Sequence, residues 1–303
     1  MDYSIIGNKI KELRKTVGLT QGELAEGVCT QALISRIEKG AVYPSATSLY
    51  QISKKLGVDI NYFFEIATIP RLDYVKEVER QLWKLRRDRQ FEEMIEIVNV
   101  EEKNQVFISH PFNLQLLLWH KGIYQFEVEN DVTVALETLQ TAFTLTRNLK
   151  KALSEREMEI QLTIGAIQFK ENHLDEALES YNKVKQSLSL EGEVNNKSIK
   201  TRLLYNIARV LSRLSRFEES IGYCQEAIRW CIDTENLHLL AELHYQIGYN
   251  YELQGNFLKA LSHVEKALLI FEMKGDQKYH HFLTEKKTAY VNELSNCDSS
   301  HEG

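Results

Sequence analysis

Gln31, Ala32, Ser35 and Arg36 are short or polar side chains of the kind that approach base edges or phosphates. They sit in the stretch Gln31 to Lys39, where Ile34 and Ile37 recur at i, i+3 and turn to a core. That periodicity leaves the four facing outward from one short helix. Thr30 can cap this helix and Gly40 can end it. Just before it, Thr20-Gln21-Gly22-Glu23 has the S/T-x-x-E form of a capping box, so another helix starts there. Leu24 and Val28 give that helix an apolar face. Two short helices and a tight turn are therefore expected to position the outward set.

Three further helices close the same small core. Ile6, Ile10, Leu13 and Val17 form one stripe, ended by Gly18. Ser45 caps a helix whose apolar face is Leu49, Ile52 and Leu56, ended by Gly57, and Asp59 caps a fifth through Phe63. The pattern TQxELAxxxxxxxxxISRIExG followed by PSxxxLxxISKxLGV resembles the lambda-repressor/Cro (XRE) helix-turn-helix class over about the first 65 residues. The resemblance implies that Gln31, Ala32, Ser35 and Arg36 face the major groove. Gln21, Thr30 and nearby lysines such as Lys39 would hold phosphates.

The 303-residue chain is long enough for two domains. Three prolines, 14 glycines and abundant Leu, Glu, Lys, Ala and Ile argue for an all-α fold. No apolar run reaches the ~20 residues that span a bilayer. With no basic-then-apolar N-terminal signal, a cytoplasmic protein is expected. The four cysteines show no CxxC spacing and read as free thiols. The net charge of −6 hides an asymmetry. Residues 1–68 carry eight Lys/Arg against seven Asp/Glu, and the remainder 29 against 36. A weakly basic head precedes an acidic body, so two heads acting together would bind DNA better than one.

The body repeats. The clearest unit, Ala241 to Met273, carries Gly248, Tyr251, Gly255, Phe257, Ala260 and Ala267 at the spacing of a tetratricopeptide repeat. The frame recurs upstream with Ala208, Phe217, Ser220 and Ala227, then Gly165, Leu174, Ala177 and Tyr181, then Trp119, Phe126, Ala135 and Ala142. A degenerate first copy runs from Val75. Starts at 75, 116, 158, 201 and 241 exceed the usual period of about 34 residues. The expected organisation is a helix-turn-helix domain over 1–66, a linker helix over 67–89 overlapping the first repeat, and five repeats plus a capping helix over 75–294. A disordered tail over 295–303 ends the chain. Such repeats stack into a right-handed superhelix with a concave groove. By the tetratricopeptide frame, the residues expected to meet a peptide there are Arg86, Arg87, Lys121, Tyr124, Tyr205, Asn206, Arg209, Tyr245, Gln246 and Tyr249. Amides can pair with an extended backbone, tyrosines add rigid apolar area, and arginines can fork onto carboxylates.

An XRE head on a tetratricopeptide body resembles the Gram-positive peptide-pheromone regulators of the PlcR, NprR, Rgg and PrgX group. The segment Leu19 to Tyr50 looks most like PlcR and its paralogues. The resemblance implies a homodimeric quorum-sensing transcription factor, read as an activator. It would bind a palindromic operator in double-stranded DNA, under control of a short signalling peptide. Two alternatives predict different behaviour: an adaptor that binds a response-regulator-type protein, or a ligand-independent repressor. No phosphate-cradling loop, metal spacing or nucleophile–base set suggests an enzyme, a cofactor or a metal site.

Overall fold

The computed structural model describes residues 3–68, 71–147, 152–191 and 194–299. Among these residues the elements are all helices. In the first half they are α1 (Tyr3–Thr16), α2 (Gln21–Ala25), α3 (Gln31–Glu38), α4 (Ala46–Leu56), α5 (Ile60–Thr68), α6 (Leu72–Arg87), α7 (Phe91–Glu101), α8 (Gln105–Ile108) and α9 (Pro111–Glu127). There follow α10 (Val132–Leu145), α11 (Glu155–Lys170), α12 (Leu174–Glu191), α13 (Ser198–Arg213), α14 (Phe217–Asp233), α15 (Leu240–Leu253), α16 (Phe257–Lys274) and α17 (Gln277–Ser299). The chain divides into two compact units, Met1–His120 and Lys121–Gly303. No described helix is long and apolar enough to cross a membrane.

In the first unit, α1 to α5 close one core around Ile6, Ile10, Leu24, Ile34, Leu49 and Phe63. The starts follow the caps. Thr20 and Glu23 form a full capping box, and Thr30 and Ser45 accept from the third backbone N–H of their helices. Helix α4 stops where Gly57 turns left-handed, at φ 69°. The fifth helix outruns its expected end at Phe63. Ile66 continues its apolar stripe into the core, so residues 67 and 68, expected to open the linker helix, belong to α5. Residues 69 and 70 lie outside the described residues. Beyond the head, α6 pairs with α7.

The second unit is built from helical hairpins. α11 pairs with α12, α13 with α14 and α15 with α16, and α17 covers α16. Small residues set the close approach within each pair. Gly122, Gly165, Ala208 and Gly248 occupy one position of the frame, and Ala135, Ala177, Ser220 and Ala260, all wholly buried, occupy another. At Gly165 a methyl group would fall 2.4 Å from the Tyr181 ring. Helix α8 occupies part of 101–113, and α12 continues to Glu191. Likewise α17 runs to Ser299 instead of ending at Leu294, because no glycine or proline interrupts the segment. The rest of the tail, 300–303, lies outside the described residues.

One buried polar network ties three helices of this unit. Gln246 Nε2 donates to Ser212 Oγ at 2.7 Å, Ser212 Oγ to Asn250 Oδ1 at 2.5 Å, and Asn250 Nδ2 to Ser220 Oγ at 2.8 Å. Asn250→Leu strands several of these groups in a dry site. It is expected to cost ~2–4 kcal/mol, read as a lower urea midpoint for the body. An unchanged midpoint would show that water reaches the network.

Candidate DNA-binding and peptide-binding surfaces

Helix α3 is held by a buried ion pair. Arg14 Nε donates to Glu38 Oε1 at 2.6 Å and Nη2 to Oε2 at 3.0 Å, while Nη1 donates to the Leu19 carbonyl at 2.8 Å. Gln21 Nε2 adds a bond to Glu38 Oε2 at 2.9 Å. Burial pushes the Glu38 carboxyl up, but the bonds from Arg14 and Gln21 outweigh it and hold the group below the usual carboxylate range. These bonds fix α1, α2 and α3 together. Lys55 completes the frame from α4, donating to the Glu23 and Glu26 carbonyls at the end of α2 at 2.7 and 2.5 Å.

That bracing leaves one face of α3 open. Gln31, Ala32, Arg36 and Lys39 are exposed, and Ser35 is half-buried. Thr30 is exposed too. Its oxygen accepts from Leu33 N at 3.2 Å, which leaves the hydroxyl proton free to donate. Gln21 departs most from the expected phosphate role: it is half-buried, and one amide N–H is spent on Glu38.

The residues expected to meet a peptide fall in both units. In the first, the Arg86 guanidinium lies over Trp83 and Trp119, at 4.1 and 4.4 Å from the ring centres. Arg87 is exposed and pairs with Asp88 at 3.0 Å. In the second unit, α13 touches both α11 and α15. No comparable contact among the described residues joins α12 to α14 or α14 to α16. Helices crowd on the inside of a bend, so α11, α13 and α15 form the inner layer of this unit.

Tyr205, Asn206 and Arg209 are half-buried on α13, and Tyr245 and Tyr249 are half-buried on α15. Tyr245 meets Tyr249 at 6.2 Å and Phe282 of α17 at 5.8 Å. Burial pushes the Tyr205 and Tyr245 phenols up to about 12, so both remain donors at neutral pH. Lys121 and Tyr124 are half-buried and already engaged with other groups. Gln246 does not share the surface. It lies on the side of α15 that carries Leu243 and Asn250, and its amide is spent on Ser212. Phe282 joins the surface without having been singled out in the sequence. Phe169, buried near the end of α11, forms the floor that Arg209 and Arg213 of α13 reach.

These features define a class: an XRE-type helix-turn-helix head in one chain with a body of helical hairpins. A helix-turn-helix profile matches residues 10–63, and the RNPP family C-terminal domain matches residues 79–292. The chain belongs to the RNPP family. It is similar to PlcR of Bacillus thuringiensis solved with the peptide PapR7 and DNA, at 25% identity and a TM-score of 0.81, covering 95% of this chain and 99% of that one. The apo form of that PlcR matches at 23% identity and a TM-score of 0.66, covering 93% and 99%. ComR of S. thermophilus, solved with DNA and its signalling peptide ComS, shares the fold at 17% identity and a TM-score of 0.63, covering 94% and 99%. No curated protein matches significantly. The family and these structures are regulators rather than enzymes.

Proposed function

We propose that the chain is a sequence-specific DNA-binding transcriptional regulator, cytoplasmic and homodimeric, controlled by a short signalling peptide. The observation that carries this reading is the open face of α3, braced from behind by Arg14, Glu38 and Gln21, in a chain whose body belongs to the RNPP family. Gln31, Ala32, Ser35 and Arg36 read bases, and Thr30 and Lys39 hold phosphates. Two heads read the two halves of a palindrome about one helical turn apart or a multiple of it. The peptide occupies the inner layer of the body around Tyr205, Arg209, Tyr245 and Tyr249. It acts by binding the DNA-competent arrangement more tightly than the alternative.

The test begins with selection of a randomised 30-base-pair duplex pool by the full-length protein. The selected duplexes are then titrated by fluorescence anisotropy. Arg36→Ala is expected to lose about 1–3 kcal/mol of discrimination, or roughly tenfold to a hundredfold in specific affinity. Lys39→Ala should weaken all sequences alike and flatten the salt dependence. Unchanged specificity in both Arg36→Ala and Gln31→Ala would remove α3 from the reading role.

A further inference from the structure

The inner layer of the second unit changes character along its helices. Near the starts of α13 and α15 the charges are matched. Arg202 binds Glu159, and Lys274 lies 3.6 Å from Glu242. His238, between them, is kept neutral: burial, then the charges of Arg202 and Lys274, lowers it to about 4. Roughly 10 Å further along α13 the matching stops. The Arg209 guanidinium lies 4.4 Å from the Phe169 ring centre and 5.6 Å from that of Tyr205. The Arg213 guanidinium lies 4.5 Å from the same Phe169 ring. Arg213 donates to two neutral oxygens, the Phe169 carbonyl at 3.5 Å and Asn172 Oδ1 at 3.2 Å.

Arg209 makes no hydrogen bond or ion pair with any described residue. Arg14 holds Glu38 and Arg202 holds Glu159, and the other arginines without such a partner among the described residues, Arg36, Arg71, Arg147 and Arg229, are exposed, whereas Arg209 is half-buried. A half-buried guanidinium has lost part of its hydration, and ring faces return only part of that loss. A purely structural role, bracing α13 against Phe169, would leave its fork of N–H groups unused. A planar fork beside a second cation fits a carboxylate.

We propose that Arg209, supported by Arg213, anchors a carboxylate of the peptide and so sets which peptides this chain accepts. The proposal rests on the peptide-receptor reading above. The carboxylate is an Asp or Glu side chain or the peptide's own C-terminus, since both present the same two oxygens. It lies over the second half of α13. Tyr205 and Tyr245 lie along the same layer, with Phe282 of α17 packed against Tyr245, so an apolar residue accompanies it.

Affinity selection from a randomised heptapeptide library tests this, using the full-length protein. The library is made twice, once with free C-termini and once as C-terminal amides. The wild type is expected to enrich either Asp or Glu at one position in both libraries, or free C-termini over amides. Arg209→Gln should abolish the enrichment, weakening the best selected peptides about tenfold or more. Arg209→Lys should restore it in part, because the charge returns without the fork. Thermal melting of Arg209→Gln should match or exceed the wild type, because an unpaired charge is removed.

Selected peptides with the acid content and C-terminal state of the input would overturn the proposal while leaving the receptor reading intact. Enrichment that survives Arg209→Gln would do the same. A variant that melts early would mark Arg209 as a brace and overturn its assignment as an anchor. No peptide retained by the wild type would defeat both readings.

Discussion

Glu38→Ala is expected to unfold the head while the body stays folded. Removing one partner of a buried ion pair strands the other. Arg14 would keep its charge at a site where its side chain is 11% exposed, with only the Leu19 carbonyl left to receive it. Such single removals cost about 3–5 kcal/mol, a large part of what a small domain has. The double change Arg14→Met with Glu38→Leu should recover most of the loss, since two apolar side chains need no partners. pH offers an independent check. The folded Glu38 pKa is depressed, so its stabilisation is present above the unfolded carboxylate value, about 4.3, and is lost as pH falls through the lower folded value. Urea melts of the head, followed by hydrogen exchange in α3, read both effects. A single variant as stable as the double, or a head whose stability is flat across that acid range, would show that the pair carries little.

How much of this could be read from the chain depended on how locally each feature is determined. The caps at Thr20, Thr30 and Ser45 act within one turn, and all three form as their residue types dictate. The small-residue frame of the body was legible because tight helix contact admits so few side chains at Gly165, Ala208 and Gly248. Long-range matching was not legible. Gln21 and Gln246 both looked free to meet a ligand, yet each is tied to a residue far along the chain, Glu38 and Ser212. Periodicity places a residue on a helix face, but a rotation of one position moves an amide from a groove into a core. The arginines show the same limit: nothing in the order of residues separates Arg202, which Glu159 neutralises, from Arg209, which has no such partner. Helix ends were extended beyond expectation at Thr68 and Ser299 because apolar contact, or the lack of a breaker, decides where a helix stops.

Gly7→Ala and Gly22→Ala should shift stability in opposite directions, although both place the same methyl group on a helix. By intrinsic propensity alone, each gains up to about 1 kcal/mol. Gly22 is exposed, and the nearest atom to an added Cβ is Thr20 Oγ1 at 3.8 Å, so Gly22→Ala is expected to be neutral or stabilising. Gly7 lies where α1 crosses the end of α3, and an added Cβ would fall 2.0 Å from the Ile37 carbonyl oxygen. That obstacle is backbone and cannot rotate aside. Relief requires α3 to move away from α1, which pulls on the Arg14–Glu38 bonds and opens the core around Ile6 and Ile37. Overpacking of this kind costs ~1–3 kcal/mol or more. Because α3 is also the proposed reading helix, DNA affinity should fall further than the stability loss alone accounts for, even at temperatures where Gly7→Ala remains folded. Paired urea titrations and anisotropy measurements on the two variants decide it. If Gly7→Ala behaves like Gly22→Ala in both, α1 and α3 are not in the close contact that positions Gln31 and Arg36.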